Sequence, residues 1–243
     1  MPTAQAIQVA PYHPAKFTGA IVDRAAVIVQ AEARRVIGRE HVGPIHVLDP
    51  FAGVGRVHRL HRPGKVATHG IEIEPEWAAA DQRTICADAL AWMADPAHHQ
   101  QYDIVFTSPT YGNRFSDHHM ARDGSERHSY RHDLGRDLTD GSSAGMPFGK
   151  RYWAFHARAW RLVFEVLRPG GMFLLNVSDF YRANDVVPAA TWHRGAAWGA
   201  GFVQAARDRV VRTPRLRGVG TEATAARVAH ERILVFRRPP EAQ

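Results

Sequence analysis

Six short apolar runs recur along the chain, at His46 to Leu48, Thr68 to Ile73, Thr84 to Ala87, Asp103 to Thr107, Gly171 to Val177 and Arg232 to Arg237, and several of the intervals between them carry helical patterns. Strands that alternate with helices argue for one α/β layer structure with a central, mostly parallel sheet and helices on both faces. One such unit is explicit. Trp153, Ala157, Trp160, Leu162, Val163, Val166 and Leu167 fall at helical spacing, and Pro169-Gly170-Gly171 ends that helix just before the next apolar run.

With 243 residues, of which 45% are hydrophobic, the chain can bury one substantial core, so a single domain over residues 1–243 is expected. No apolar stretch approaches the ~20 residues needed to cross a bilayer, and no basic segment followed by an apolar one stands at the N-terminus, which predicts a soluble, cytoplasmic protein. The single cysteine, Cys86, cannot form an internal disulfide, and it lies in an apolar run where a small hydrophobe would serve as well.

Two segments break the alternation: 113–150, rich in Gly, Ser, His and charge, and 213–229, rich in Arg, Gly and small residues. Both are expected as loops inserted in the domain, and so long a structureless segment as the first is uncommon unless it is functional. The formal net charge of +7 and a pI near 10.1 suit a polyanionic partner. The excess is local: between Ala205 and Arg238 stand nine arginines (207, 209, 212, 215, 217, 227, 232, 237 and 238) against three acids (Asp208, Glu222 and Glu231).

Val47-Leu48-Asp49-Pro50-Phe51-Ala52-Gly53-Val54-Gly55 reads as a strand running into a turn whose two glycines let a ligand approach the backbone closely. Gly70-Ile71-Glu72-Ile73-Glu74-Pro75 places a carboxylate at the end of the second strand, where acids of nucleotide-binding α/β folds accept hydrogen bonds from ribose hydroxyls; Glu72 is the first choice and Glu74 the alternative. Cys86-Ala87-Asp88-Ala89 supplies a third strand-end acid, able to accept from an adenine amino group.

Asp103-Ile104-Val105-Phe106-Thr107-Ser108-Pro109-Thr110-Tyr111-Gly112 ends the fourth strand. Taken in order, these four strand ends resemble the class I S-adenosylmethionine-dependent methyltransferases, and Ser108-Pro109-Thr110-Tyr111 is similar to the Asp/Asn/Ser-Pro-Pro-Tyr motif of the enzymes that methylate exocyclic amino groups of DNA bases. The resemblance implies a Rossmann-like class I methyltransferase fold and S-adenosylmethionine as cofactor. It implies that Asp49, Phe51, Gly53 and Gly55 meet the methionine moiety, Glu72 the ribose and Asp88 the adenine. His13-Pro14-Ala15-Lys16-Phe17 is similar to the segment that closes over the methionine end, which adds Phe17.

The chemistry explains the motif's residue types. A base amino group conjugates its lone pair into the ring and is a poor nucleophile. Ser108 Oγ and the Pro109 carbonyl can accept its two N–H bonds and aim the lone pair at the methyl group, while Tyr111 stacks on the flipped base. Thr110 stands where the family has a second proline, which removes some backbone rigidity.

DNA is thus the expected partner, with cytosine N4 favoured over adenine N6 by Ser108, and with the two loops, through Arg114, Arg122, Arg127, Arg215 and Arg217, expected to contact it. Methylation of tRNA guanine N2, and a nucleic-acid-binding protein that has lost activity through Thr110, are the alternatives. The histidines 118, 119, 128 and 132 have no cysteine nearby and no tight ligand spacing, so no metal is expected.

Overall fold

The computed structural model describes residues 13, 17–37, 43–112, 129–182, 185–212, 228 and 230–241. In chain order the elements are α1 (Gly19–Ile37), β1 (Ile45–Asp49), a short 3-10 helix (Arg56–Leu60), β2 (Val66–Glu72), α2 (Pro75–Ala78), β3 (Thr84–Cys86), α3 (Ala89–Ala94) and β4 (Tyr102–Thr107). The second half contributes α4 (Tyr130–Leu134), α5 (Lys150–Val166), β5 (Leu167–Val177), β6 (Phe180–Arg182), β7 (Asp185–Val187), α6 (Ala189–Gly199), β8 (Val203–Gln204), β9 (Arg209–Arg212) and β10 (His230–Arg237). Each of the six expected strands is present, within a few residues of its predicted bounds.

The main sheet has the order β3-β2-β1-β4-β5-β10-β8, with β9 also paired to β10; β6 and β7 form a separate hairpin. From β3 to β5 neighbours run parallel, and β10 returns antiparallel to β5. The order reverses between β1 and β4, which opens a crevice outside the carboxyl ends of those two strands, where open α/β sheets place their ligands.

Side-chain alternation divides the core between the two faces of the sheet. Val105, Phe173, Leu175, Leu234 and Phe236 pack with Trp160 and Val163 of α5 and Ala197 of α6. Ile104, Phe106, Met172, Leu174, Ile233 and Val235 pack with Ile21, Val22, Ala25 and Val29 of α1. Because both faces are covered, the central strands read as unbroken apolar runs.

Three features depart from the sequence expectation. Thr84–Cys86 forms the outer edge strand, with Ile85 and Cys86 exposed, because only β2 flanks it. Helices α1 and α6, which no quoted spacing singled out as α5 was, cover the faces of the sheet. Finally, residues 129–150, expected as loop, are ordered against the strand ends: Ser129 accepts from the His132 amide to cap α4, and Gly135 closes the helix at φ +69°. No helix among the described residues is long and apolar enough to cross a membrane.

Candidate functional site

The carboxyl ends of β1 to β4 lie along one edge of the sheet and bring the expected residues together. Asp49, at the end of β1, is fully buried; its Oδ1 accepts from Thr107 Oγ1 at 2.6 Å and from the Phe51 amide at 3.0 Å. The first of these bonds ties β1 to β4 at the reversal point. Asp49 Oδ2 is buried without a partner among the described residues. Gly53 and Gly55 both adopt left-handed conformations, φ +52° and +71°, as their place in the turn requires. A Cβ at Gly53 would sit 2.9 Å from His13 Nε2, so the segment before α1 does reach the turn. Phe17, by contrast, is buried and stacks on Phe106 with ring centroids 4.6 Å apart. Its position is in the core beneath the crevice.

Glu72 ends β2 with both carboxylate oxygens on backbone donors, Oε2 on the Gly53 amide at 2.8 Å and Oε1 on the Glu74 amide at 2.9 Å. It thereby braces the glycine turn. Burial pushes Asp49 up to about 7, with the nearby Glu72 charge adding to the effect while bonds from Thr107 and Phe51 oppose it. Burial likewise raises Glu72 to about 7. The crevice therefore holds two desolvated acids whose ionised forms are costly unless positive charge or further donors arrive.

Glu74 has a different task. It is buried and accepts from the Thr139 amide at 3.0 Å, Thr139 Oγ1 at 2.9 Å and Arg136 at 2.8 Å, while Arg136 Nε also bonds Glu76 at 2.8 Å. Asp88 caps α3 by accepting from the Ala91 amide at 2.8 Å, and its Oδ2 lies 3.1 Å from where a Gly141 Cβ would be. Thr110 Oγ1 donates to the Ser143 carbonyl at 3.1 Å. Residues 136–143 thus form a strap touching the ends of β2, β3 and β4 in turn.

At the end of β4, Tyr111 OH donates to Glu231 Oε2 at 2.7 Å. That uses its only proton, so in the 3.1 Å contact between Ser108 and Tyr111 the serine is the donor. Asn176 Nδ2 shares its two hydrogens among Glu231 Oε2 at 2.6 Å, Tyr111 OH at 3.0 Å and Ser108 Oγ at 3.2 Å. Ser108 Oγ keeps a lone pair for an incoming N–H. Asn176, at the end of β5, and Glu231, at the start of β10, were missed by sequence reasoning: the first read as one polar residue in a strand, the second as one acid in an arginine-rich stretch. Only the fold brings them beside Ser108.

Arg114, Arg122, Arg127, Arg215 and Arg217, and the loops that carry them at 113–128 and 213–227, lie outside the described residues.

No family model matches the chain, and no curated protein does so. Solved structures do. The cyclase SpnF aligns at TM-score 0.50 and 15% identity over 95% of this chain and 87% of its own. A candidate methyltransferase of Haloferax volcanii, solved with the Trm112 methyltransferase activator, aligns at TM-score 0.50 and 15% identity over 91% of this chain and 97% of its own. The fold is that of the class I methyltransferases. The cyclase among these alignments shows that the fold by itself does not fix a reaction. A candidate DNA modification methylase of Thermus thermophilus aligns at TM-score 0.40 and 18% identity over 63% of this chain, and the match spans 51% of that methylase.

Proposed function

We propose that this chain transfers the methyl group of S-adenosylmethionine to an exocyclic amino group of a base in DNA, with cytosine N4 favoured over adenine N6. The observation that carries the reading is the convergence of Asp49, Glu72, Asp88 and Ser108-Pro109-Thr110-Tyr111 at the ends of four adjacent parallel strands, on either side of the reversal point.

The residues present fit the cofactor. A buried acid oxygen without a partner, a second buried acid beside it and a glycine turn open to close approach suit a ligand that is cationic at its methionine end. Asp49, Phe51, Gly53 and Gly55 would hold that end, with Glu72 and Asp88 toward the nucleoside. When bound, the cofactor supplies an electrophilic methyl group.

The chain's own residues do the rest. The free lone pair of Ser108 Oγ and the Pro109 carbonyl accept the two amino hydrogens, so the nitrogen lone pair is freed from the ring and aimed. Glu231 and Asn176 fix the Tyr111 hydroxyl, and hence the ring that would face the base. No covalent intermediate is needed. DNA as partner rests on the net charge of +7 and the arginine-rich 205–238 stretch, together with the catalytic motif. Exchanging residues 113–128 or 213–227 should redirect the target sequence.

The test incubates the protein with labelled S-adenosylmethionine and either DNA or tRNA, then identifies the modified nucleoside by mass spectrometry. N4-methylcytosine or N6-methyladenine in DNA is expected, and Ser108→Ala should lower the rate by about 10² or more while sparing cofactor binding. Label in tRNA alone, or an undiminished rate in Ser108→Ala, would overturn the reading.

A further inference from the structure

Behind the catalytic turn, packed against the Phe51 ring through His156 and Trp160, lies a buried polar chain that no step of the proposed reaction uses. Tyr152, Trp160, His156 and His193 are all at 0% exposure. Trp160 Nε1 donates to His193 Nδ1 at 3.2 Å. An indole nitrogen only donates, so His193 Nδ1 carries no proton. A neutral imidazole then has its hydrogen on Nε2, which faces Tyr152 OH at 2.8 Å and must donate to it. Tyr152 spends its own proton on the Thr110 carbonyl at 2.7 Å. Every donor points the same way, from α5 through α6 to the turn, and burial, which holds His193 well below its ordinary pKa, keeps the ring neutral so that the direction cannot reverse.

We propose that Trp160, His193 and Tyr152 are positioning residues for the catalytic turn, holding the Thr110 peptide in the place where a proline ring would otherwise restrain it. Thr110 is clamped from both ends: its carbonyl by Tyr152, its hydroxyl by Ser143. The turn is held again two residues on, where the Phe148 amide donates to the Gly112 carbonyl at 3.1 Å. Proline fixes φ through its ring; Thr110 obtains its restraint from partners 33 and 42 residues away. The benefit passes to the neighbours, because Ser108 and Tyr111 flank the held peptide and carry the groups that meet the base. His156 closes the packing: its Nδ1 bonds the Tyr152 carbonyl at 3.0 Å and its ring lies 4.1 Å from that of Tyr152.

This inference rests on the proposed reaction for its consequence but not for its geometry, so the experiment reads both. In the full chain, imidazole nitrogen NMR should show His193 protonated at Nε2 alone; the opposite tautomer, or a mixture, overturns the chain's direction. Amide relaxation at Tyr111 should give an order parameter of about 0.85, falling toward about 0.6 in Tyr152→Phe. It should return in Tyr152→Phe/Thr110→Pro, since a ring at 110 supplies the lost restraint. The turnover number for methyl transfer should fall by about tenfold and recover in the same pair, with the KM for S-adenosylmethionine unchanged. A role in core packing alone would not be rescued at position 110. Unchanged Tyr111 order in Tyr152→Phe, or no recovery in a folded double variant, overturns the proposal. If the wild type methylates neither DNA nor tRNA, the reaction assigned above fails, while the tautomer and order parameters still decide whether the turn is held this way.

Discussion

The two sides of the crevice are built by different means. On the β1–β2 side, Asp49 accepts from the Phe51 amide and Glu72 from those of Gly53 and Glu74, all within a 26-residue stretch, counting inclusively from 49 to 74. On the β4 side, Ser108 and Tyr111 depend on side chains 65 to 120 residues away in the chain, Asn176 and Glu231. The amide bonds of the first can form as soon as β1 and β2 pair, with Thr107 of β4 and the 136–143 strap added to Asp49 and Glu74 afterwards. The second exists only when β4, β5 and β10 are all in register. Cofactor binding should therefore tolerate damage that abolishes transfer.

Glu231→Ala is the largest test of that contrast. It removes the acceptor shared by Tyr111 and Asn176, and transfer should fall by about 10² while S-adenosylmethionine affinity stays within about twofold by calorimetry, charge-assisted bonds of this kind each contributing about 1.5–3 kcal/mol. A parallel loss of affinity would show that the two sides are one unit. Gly53→Ala is the converse. A left-handed φ and a Cβ 2.9 Å from His13 Nε2 should cost about 1–3 kcal/mol in the turn. The loss should appear in cofactor affinity and be largely recovered in rate at saturating cofactor.

Titration separates the sides with smaller effects of opposite sign. Asp49 binds its proton more tightly in the folded chain, so its contribution to stability falls as pH rises from its ordinary 3.8 to about 7. Burial holds His156 neutral, lowering its pKa to about 3, and its contribution falls as pH drops from 6.5. In urea titrations, Asp49→Asn should gain on the wild type as pH rises through 4 to 7, and His156→Phe should gain as pH falls below 6.5, each by at most about 1.4 kcal/mol per pH unit. Slopes of the same sign would mean that one of the two groups is not buried as described. A small effect is also expected from Arg136→Ala, where a partly exposed guanidinium pairs with Glu76 and with buried Glu74, which keeps its Thr139 donors, so the loss of stability should be about 1 kcal/mol. Its readout is faster cofactor release, measured by stopped flow.

What the sequence revealed follows the same division. The six strands and the acids Asp49, Glu72 and Asp88 were legible because the signals are contiguous: an apolar run followed by a turn residue. Asn176 and Glu231 were not, since nothing in Leu174-Leu175-Asn176-Val177 or His230-Glu231-Arg232 indicates that β10 turns back antiparallel beside β5. Glu74, read as the alternative ribose acid, proved to anchor the strap because Arg136 and Thr139, more than sixty residues on, fold back to it. Thr110 looked like a weakness in the motif; its partners Tyr152 and Ser143 could not be seen from four residues.

The edge position of β3 has a practical consequence. Cys86 pairs in register with Glu72 yet is exposed, and as the only cysteine it offers a single-site attachment point for a fluorophore at the β3 edge of the sheet, beside the crevice. Partial burial, followed by the charges of Glu72, Glu74 and Glu76, disfavours its thiolate. Alkylation at neutral pH should thus be slow, and its rate would report the local field without any turnover being required.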